Sequence, residues 1–252
     1  VFVVSSCATR EKYERPKDIN ENLFRTDALP KDSASVASIS WRSIFTDPVL
    51  QKHIDKGLQN NLDIRIALQN IVSAEAYLQQ SKAAYLPTLS VGPSYTFQTQ
   101  SLNTQLGQLS GDRQYNNLFD VSGDLSWEAD IWGKMKAQEK AQLAQYLGTV
   151  AAHKAVKSDL VAAIASAYYQ LLTLDEQKRI ISETIALRNK NLETTKALKE
   201  AGTLSEVAVQ QSEALVFNAQ SLLIDTDTQI ALLENAMSLL MGVPSQKIER
   251  ST

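Results

Sequence analysis

One cysteine, Cys7, is all the sequence contains, so no intrachain disulfide can hold the fold together. Its two histidines, His53 and His153, are far apart and have no partner at metal-ligand spacing. There is no nucleophile elbow and no phosphate-binding glycine loop, so neither a catalytic constellation, a metal site nor a cofactor is expected. A net charge of -3 with scattered Lys and Arg gives no basic surface for nucleic acid. The longest apolar runs, such as Leu160 to Ala165, fall far short of the roughly 18 residues a membrane-spanning helix needs. If this chain crosses a membrane, it does not do so by helices.

Proline is also scarce, and none occurs between Pro93 and Pro244. From Lys134 onward the residues are mainly Ala, Leu, Gln, Lys and Glu, which lose least in an α-helix. The one break is Ala201-Gly202-Thr203-Leu204-Ser205, where a glycine able to take positive φ precedes a capping serine and Glu206. The pattern predicts a helix over 134–200, about 100 Å long, and a return helix over 205–241. A helix of that length serves a distance rather than a compact core. Its sides carry Leu160, Ile164, Tyr168, Leu171 and Leu192 among others, and the return helix offers a seam at Ala208, Gln211, Leu215, Asn218 and Leu222. That seam has coiled-coil spacing with polar interruptions, which fix register and call for partner helices.

Upstream, Phe2-Val3-Val4-Ser5-Ser6 before Cys7 has the form of the end of a bacterial lipoprotein signal, making residues 1–7 a signal remnant and Cys7 a candidate lipidation (palmitate) site. An incidental thiol is the plainer alternative. Val rather than Met at position 1 implies an incomplete N-terminus. Residues 8–46 are polar and aperiodic, an extended tether. Asp47-Pro48 then starts a helix over 48–59, Asn60-Asn61 breaks it, and a second helix over 62–85 carries Leu62, Ile66, Ala74 and Leu78 until Leu86-Pro87 stops it.

Between these helical parts the period changes to two. Leu89, Val91, Pro93, Tyr95 and Phe97 alternate with Ser, Thr, Gly and Gln, and Phe119, Val121, Leu125 and Trp127 alternate with Asp120, Ser122, Asp124, Ser126, Glu128 and Asp130. Strands are expected over 88–100 and 118–131, as a hairpin with one oily and one wet face. Such lengths exceed the mean strand and reach what a tilted bilayer crossing needs. An amphipathic hairpin lying on a soluble core would show the same period. Two features favour lipid: Tyr95, Phe97, Phe119 and Trp127 line the oily face as interfacial aromatics do, and the wet face has acids but no base. On this reading Asp120, Asp124, Glu128 and Asp130 face a water-filled lumen, where they either favour cations or form an unselective hydrated wall. A lone hairpin leaves its edges unpaired in lipid, so several copies must close a barrel.

Taken in order, Cys7, Trp41 to Asp47-Pro48-Val49-Leu50, Leu58 to Asp63, Tyr85-Leu86-Pro87, Trp127-Glu128-Ala129-Asp130-Ile131-Trp132-Gly133-Lys134, Ala201 to Ser205 and Asn235-Ala236 to Met241-Gly242 resemble the first repeat of a TolC-like outer-membrane factor, in its lipoprotein branch. The resemblance covers almost the whole chain. It implies a mainly α fold with one long β-hairpin, half of a protomer whose long helices build a periplasmic α-barrel and whose strands build a transmembrane β-barrel, with residues 47–252 as one repeat. It further implies a homotrimeric, passive duct in the outer membrane of a Gram-negative bacterium, serving tripartite efflux or type I secretion-like export. The implied partners are a periplasmic adaptor (membrane fusion) protein, an inner-membrane pump such as an RND transporter, and outer-membrane lipid. Residues 201–205 (Ala201, Gly202, Thr203, Leu204, Ser205) would form the adaptor-docking tip, or a plain helical turn. The family pattern has two repeats and this sequence has one, so either the chain is truncated or six copies build the barrel. A lipid-anchored coiled-coil scaffold without a pore is the competing reading.

Overall fold

The computed structural model describes residues 39–113 and 115–251. Cys7 and residues 8–38 of the expected tether lie outside the described residues. The chain divides into two units, residues 1–44 and 45–252. In the first unit α1 (Trp41–Ile44) is a single helical turn where an extended tether was expected, with the Arg42 guanidinium 4.2 Å over the Trp41 ring and the Ser43 side chain bonded back to the Ser40 carbonyl.

The second unit begins with α2 (Pro48–Asn60). Asp47 caps it by accepting hydrogen bonds from the Val49 and Leu50 amides, at 2.8 and 3.4 Å, while Pro48 fills the first helical position. Asn61 ends α2 and caps α3 (Leu62–Ala83): its Oδ1 accepts from the Asp63 and Ile64 amides. The same side chain donates to the Leu240 carbonyl at 2.9 Å. A buried amide therefore joins two helix ends and leaves neither of its atoms unpaired.

Strands β1 (Thr88–Thr99) and β2 (Tyr115–Ser126) form an antiparallel pair, linked through the short α4 (Gln105–Ser110). The second strand starts and stops earlier than the 118–131 expected from alternation alone. Its end matches the start of its partner. Ser126 pairs with Thr88, the first residue of β1 after Pro87, and a little further on the Ile131 and Gly133 amides turn back onto the Ala129 and Asp130 carbonyls, with Gly133 at φ 70°. Beyond that turn α5 (Lys134–Glu200) runs unbroken for 67 residues, about 100 Å. The residue 201–205 turn reverses the chain into α6 (Glu206–Leu240).

Helices α3 and α6 meet at the Asn61–Leu240 bond, and both pack along α5. Their 22 and 35 residues rise about 85 Å end to end, against about 100 Å for α5. At their junction α2 and the tail after α6 join the bundle. Leu50, Ile54, Ile164, Tyr168, Leu171, Met237, Met241 and Ile248 are buried there, forming the dense core of the unit, here called the waist.

Two apolar faces differ from their expected positions. On α3 the buried residues are Ile64, Ala67, Ala74 and Leu78, whereas Leu62 and Ile66 are exposed. On α6 the buried seam is Val209, Val216, Ala219, Thr226, Ile230 and Met237, one residue on from the expected 208-211-215-218-222 series. A one-residue step turns a helix face by about 100°. The expected stripe exists, but Leu215 and Leu222 on it remain exposed. Each helix thus carries two apolar stripes, and the neighbouring helix within the chain covers only one.

Candidate functional site

Two parts of the second unit hold the described residues on which function was expected to rest, the hairpin and the turn at the far end of α5; the waist adds polar contacts that were not expected. In the hairpin, pairing sets Leu89 against Leu125, Pro93 against Val121 and Tyr95 against Phe119. Odd-numbered residues of both strands therefore share one face. The Tyr95 and Phe119 rings lie 4.9 Å apart, and the Tyr95 hydroxyl donates to Asn117 Oδ1 at 2.8 Å. Phe97 stacks on Tyr115, an aromatic that alternation from 118 onward had left out. Every residue of both strands is exposed. Phe119, Val121 and Leu125 keep 77%, 76% and 72% of their surface, so none of the described helices covers the oily face.

The opposite face pairs Ser90 with Asp124 and Ser94 with Asp120, as alternation predicts. Leu118, paired with Thr96, is an apolar exception on it. Glu128, Asp130 and Trp127 lie beyond the strand end, where the period-two argument no longer applies. Asp130 accepts from the Met135 and Lys136 amides, both at 3.0 Å, and so caps the first turn of α5. Glu128 pairs with Lys134 at 3.3 Å. Trp127 Nε1 donates to the Tyr85 carbonyl at 3.1 Å, tying the base of β2 to the chain that leaves α3. These three residues build the hairpin-to-helix joint.

At the far turn Gly202 has φ 75°, and the Gly202 and Thr203 amides close onto the Lys199 and Leu198 carbonyls, both at 2.9 Å. Ser205 stands at the N-cap position, but its side chain makes no capping bond. The turn is instead bridged by an ion pair between Lys199 and Glu206. Ala201, Gly202, Thr203, Leu204 and Ser205 are all exposed, on a short and closely hydrogen-bonded loop.

The waist holds polar contacts that spacing did not reveal. The Tyr168 hydroxyl donates to Asp47 Oδ2 at 2.7 Å and accepts from the Ser251 amide at 2.9 Å. Burial alone would raise the Asp47 pKa, but bonds from Ser251, Tyr168 and the helix amides outweigh it and lower the carboxyl. Burial raises the Tyr168 hydroxyl. His53 Nε2 donates to the Glu249 carbonyl at 2.8 Å, which gives this histidine a structural role.

These observations meet the comparisons with known proteins. The family described as outer membrane efflux protein matches residues 53–243, from α2 to just past α6. The chain belongs to that family. Among curated relatives of this efflux family, the "Probable outer membrane lipoprotein SilC" of Salmonella typhimurium is 28% identical over 98% of this chain and 53% of its own length. The "Toluene efflux pump outer membrane protein TtgF" of Pseudomonas putida is 27% identical over 95% of this chain and 51% of its own. Among solved structures, the open state of the Neisseria gonorrhoeae MtrE outer membrane channel is 25% identical, with a TM-score of 0.68 over 94% of this chain and 52% of that one. The chain spans about half the length of the curated relatives it matches. Its fold, mainly α with one long β-hairpin, is that of half an outer-membrane-factor protomer, and its place is the outer membrane of a Gram-negative bacterium.

Proposed function

We propose that this efflux-family chain supplies one repeat of the wall of a homotrimeric duct, through which solutes leave a tripartite efflux or type I secretion-like system. One observation carries the reading: an amphipathic hairpin of two 12-residue strands whose oily face none of the described helices covers. Burying that face in acyl chains is favourable, and closing several hairpins into a barrel satisfies their edges. In the assembled duct Tyr95, Phe97 and Phe119 meet outer-membrane lipid, with Trp127 at the inner rim. Asp120 and Asp124 line the lumen, and Cys7 carries the lipid anchor. Helices α5 and α6 extend about 100 Å into the periplasm, and their exposed apolar stripes pack against neighbouring repeats. Residues 201–205 form the end that meets a periplasmic adaptor, which joins the duct to an energised inner-membrane pump such as an RND transporter. Channel activity, rather than catalysis, is the role.

Single cysteines in intact membranes test the reading. Val121→Cys is expected to react with a lipid-soluble maleimide and to resist a charged one, whereas Asp120→Cys is expected to react with the charged reagent. Equal reaction of both positions with the charged reagent would leave a lipid-anchored scaffold without a pore as the better description.

A further inference from the structure

Residues 243–251 after α6 have no regular structure, yet they are bound to α2, α5 and α6. The Val243 amide donates to the Ser238 carbonyl at 3.0 Å, and the Gln246 amide to Ser238 Oγ at 3.3 Å. Next, the Ile248 amide reaches Glu234 Oε1 at 3.3 Å while its side chain is buried. Glu249 and Ser251 attach the segment to α2 and α5 through His53, Asp47 and Tyr168.

Arg250 is the centre of the arrangement. Its guanidinium reaches Asp175 on α5 through Nε at 2.5 Å and Nη2 at 3.0 Å, and Glu234 on α6 through Nη1 at 2.7 Å. The Arg250 and Glu234 side chains are only 16% and 13% exposed. A planar fork gripping carboxylates on two helices fixes both axial position and rotation, which a point charge cannot do.

The α5–α6 pair needs such a constraint. Its buried seam repeats at seven residues (Val209, Val216, Ile230 and Met237), so a slip of one heptad, about 10 Å, presents an almost identical pattern. Below the waist the described buried contacts of α6 thin out to Ala219 and the cluster of Leu192, Val209 and Val216, and the Lys178–Asp227 ion pair there is half exposed, so it holds register weakly. The 201–205 turn does not forbid slippage, since unwinding helix at the turn lets α6 move along α5.

We propose that residues 242–251 form a clasp, centred on Arg250, that sets the register of α6 against α5 and so positions the exposed turn at their far end. Adaptor docking by that turn belongs to the reading above, whereas the register-setting role stands without it.

A distant register sensor tests the clasp. Thr195 Oγ1 and Ser212 Oγ lie 3.4 Å apart, about 30 Å along α5 from Asp175. In the whole chain carrying Cys7→Ser, the pair Thr195→Cys and Ser212→Cys is expected to close rapidly into a disulfide under mild oxidation. Adding Arg250→Gln is expected to slow closure several-fold, and Arg250→Lys, which keeps charge but loses the fork, to slow it less. Ser251→Ala serves as a milder clasp variant should Arg250→Gln lose helix content by circular dichroism. Closure rates equal to the parent's in every clasp variant that keeps its helicity would overturn the proposal. The measurement uses purified chain with no adaptor, so its outcome does not depend on docking.

Discussion

The waist and the arms of this repeat are built from the same helices by different physics. At the waist three helices and a strap bury Tyr168, Ile164, Leu50 and Met237, and each buried polar group there has a partner. In the arms, among the described residues, α5 packs mainly against one helix at a time, and the strands are exposed along their whole length. Large apolar side chains such as Phe217, Ile224, Leu232 and Val121 consequently lie open. The waist is complete within one repeat. The arms leave large apolar surface uncovered by their own described helices, which is the mark of an interaction surface.

Glycine 242 gives the harshest way to break the comparison. It has φ 64°, and a Cβ there would lie 2.5 Å from the Asn60 carbonyl oxygen, so Gly242→Ala combines backbone strain with a clash. A loss of about 3 kcal/mol in urea unfolding of the waist is expected. Next in size, Tyr168→Phe leaves the Ser251 amide without its acceptor and Asp47 without one donor. About 2 kcal/mol is expected by the same measurement.

Acid sharpens the contrast further. The folded-state pKa of Asp47 lies below its unfolded value of about 3.9, so its stabilisation is complete above that value and disappears as pH falls through the lowered one. Tm measured between pH 5 and pH 3 is therefore expected to fall more steeply in the parent than in Asp47→Asn.

In the arms the same kinds of change should matter less. Gly202 also has positive φ, but a Cβ there meets nothing, so Gly202→Ala carries conformational strain alone, about 1 kcal/mol. Leu222→Ala, on the uncovered stripe, is expected to change monomer stability by less than about 0.5 kcal/mol. Its effect should rise in the assembled protein, which thermal melts of the membrane-extracted oligomer would measure. A Leu222→Ala cost in the monomer as large as that of Tyr168→Phe would erase the distinction between the two regions.

Much of the candidate site was legible because its signals are local. Leu86-Pro87 stops one helix, the period of two marks the hairpin from Thr88, and Gly202 marks the far turn, each through backbone preferences that act within a few residues. Misplacements arose where a distant segment intervened. Asp130 fits the strand alternation by position, yet its carboxylate caps α5. Ser205 has the right identity for a cap, but the Lys199–Glu206 pair holds the turn.

By itself the sequence determined the principal helices, their order, the amphipathic hairpin and the length of α5, since these follow from periodicity and from where proline and glycine occur; the short α1 and α4 escaped it because one or two turns show no period. Only the tertiary structure decided which stripe of α6 is buried. Adjacent stripes both carry large apolar residues, Leu215 and Leu222 on one and Val209, Val216, Ile230 and Met237 on the other, and a shift of one residue, about 100°, chooses between them. It alone also revealed the strap that joins Arg250 to Asp175 and Glu234, residues 75 and 16 positions away. No spacing rule spans such separations, because the contacts exist only once the helices have come together.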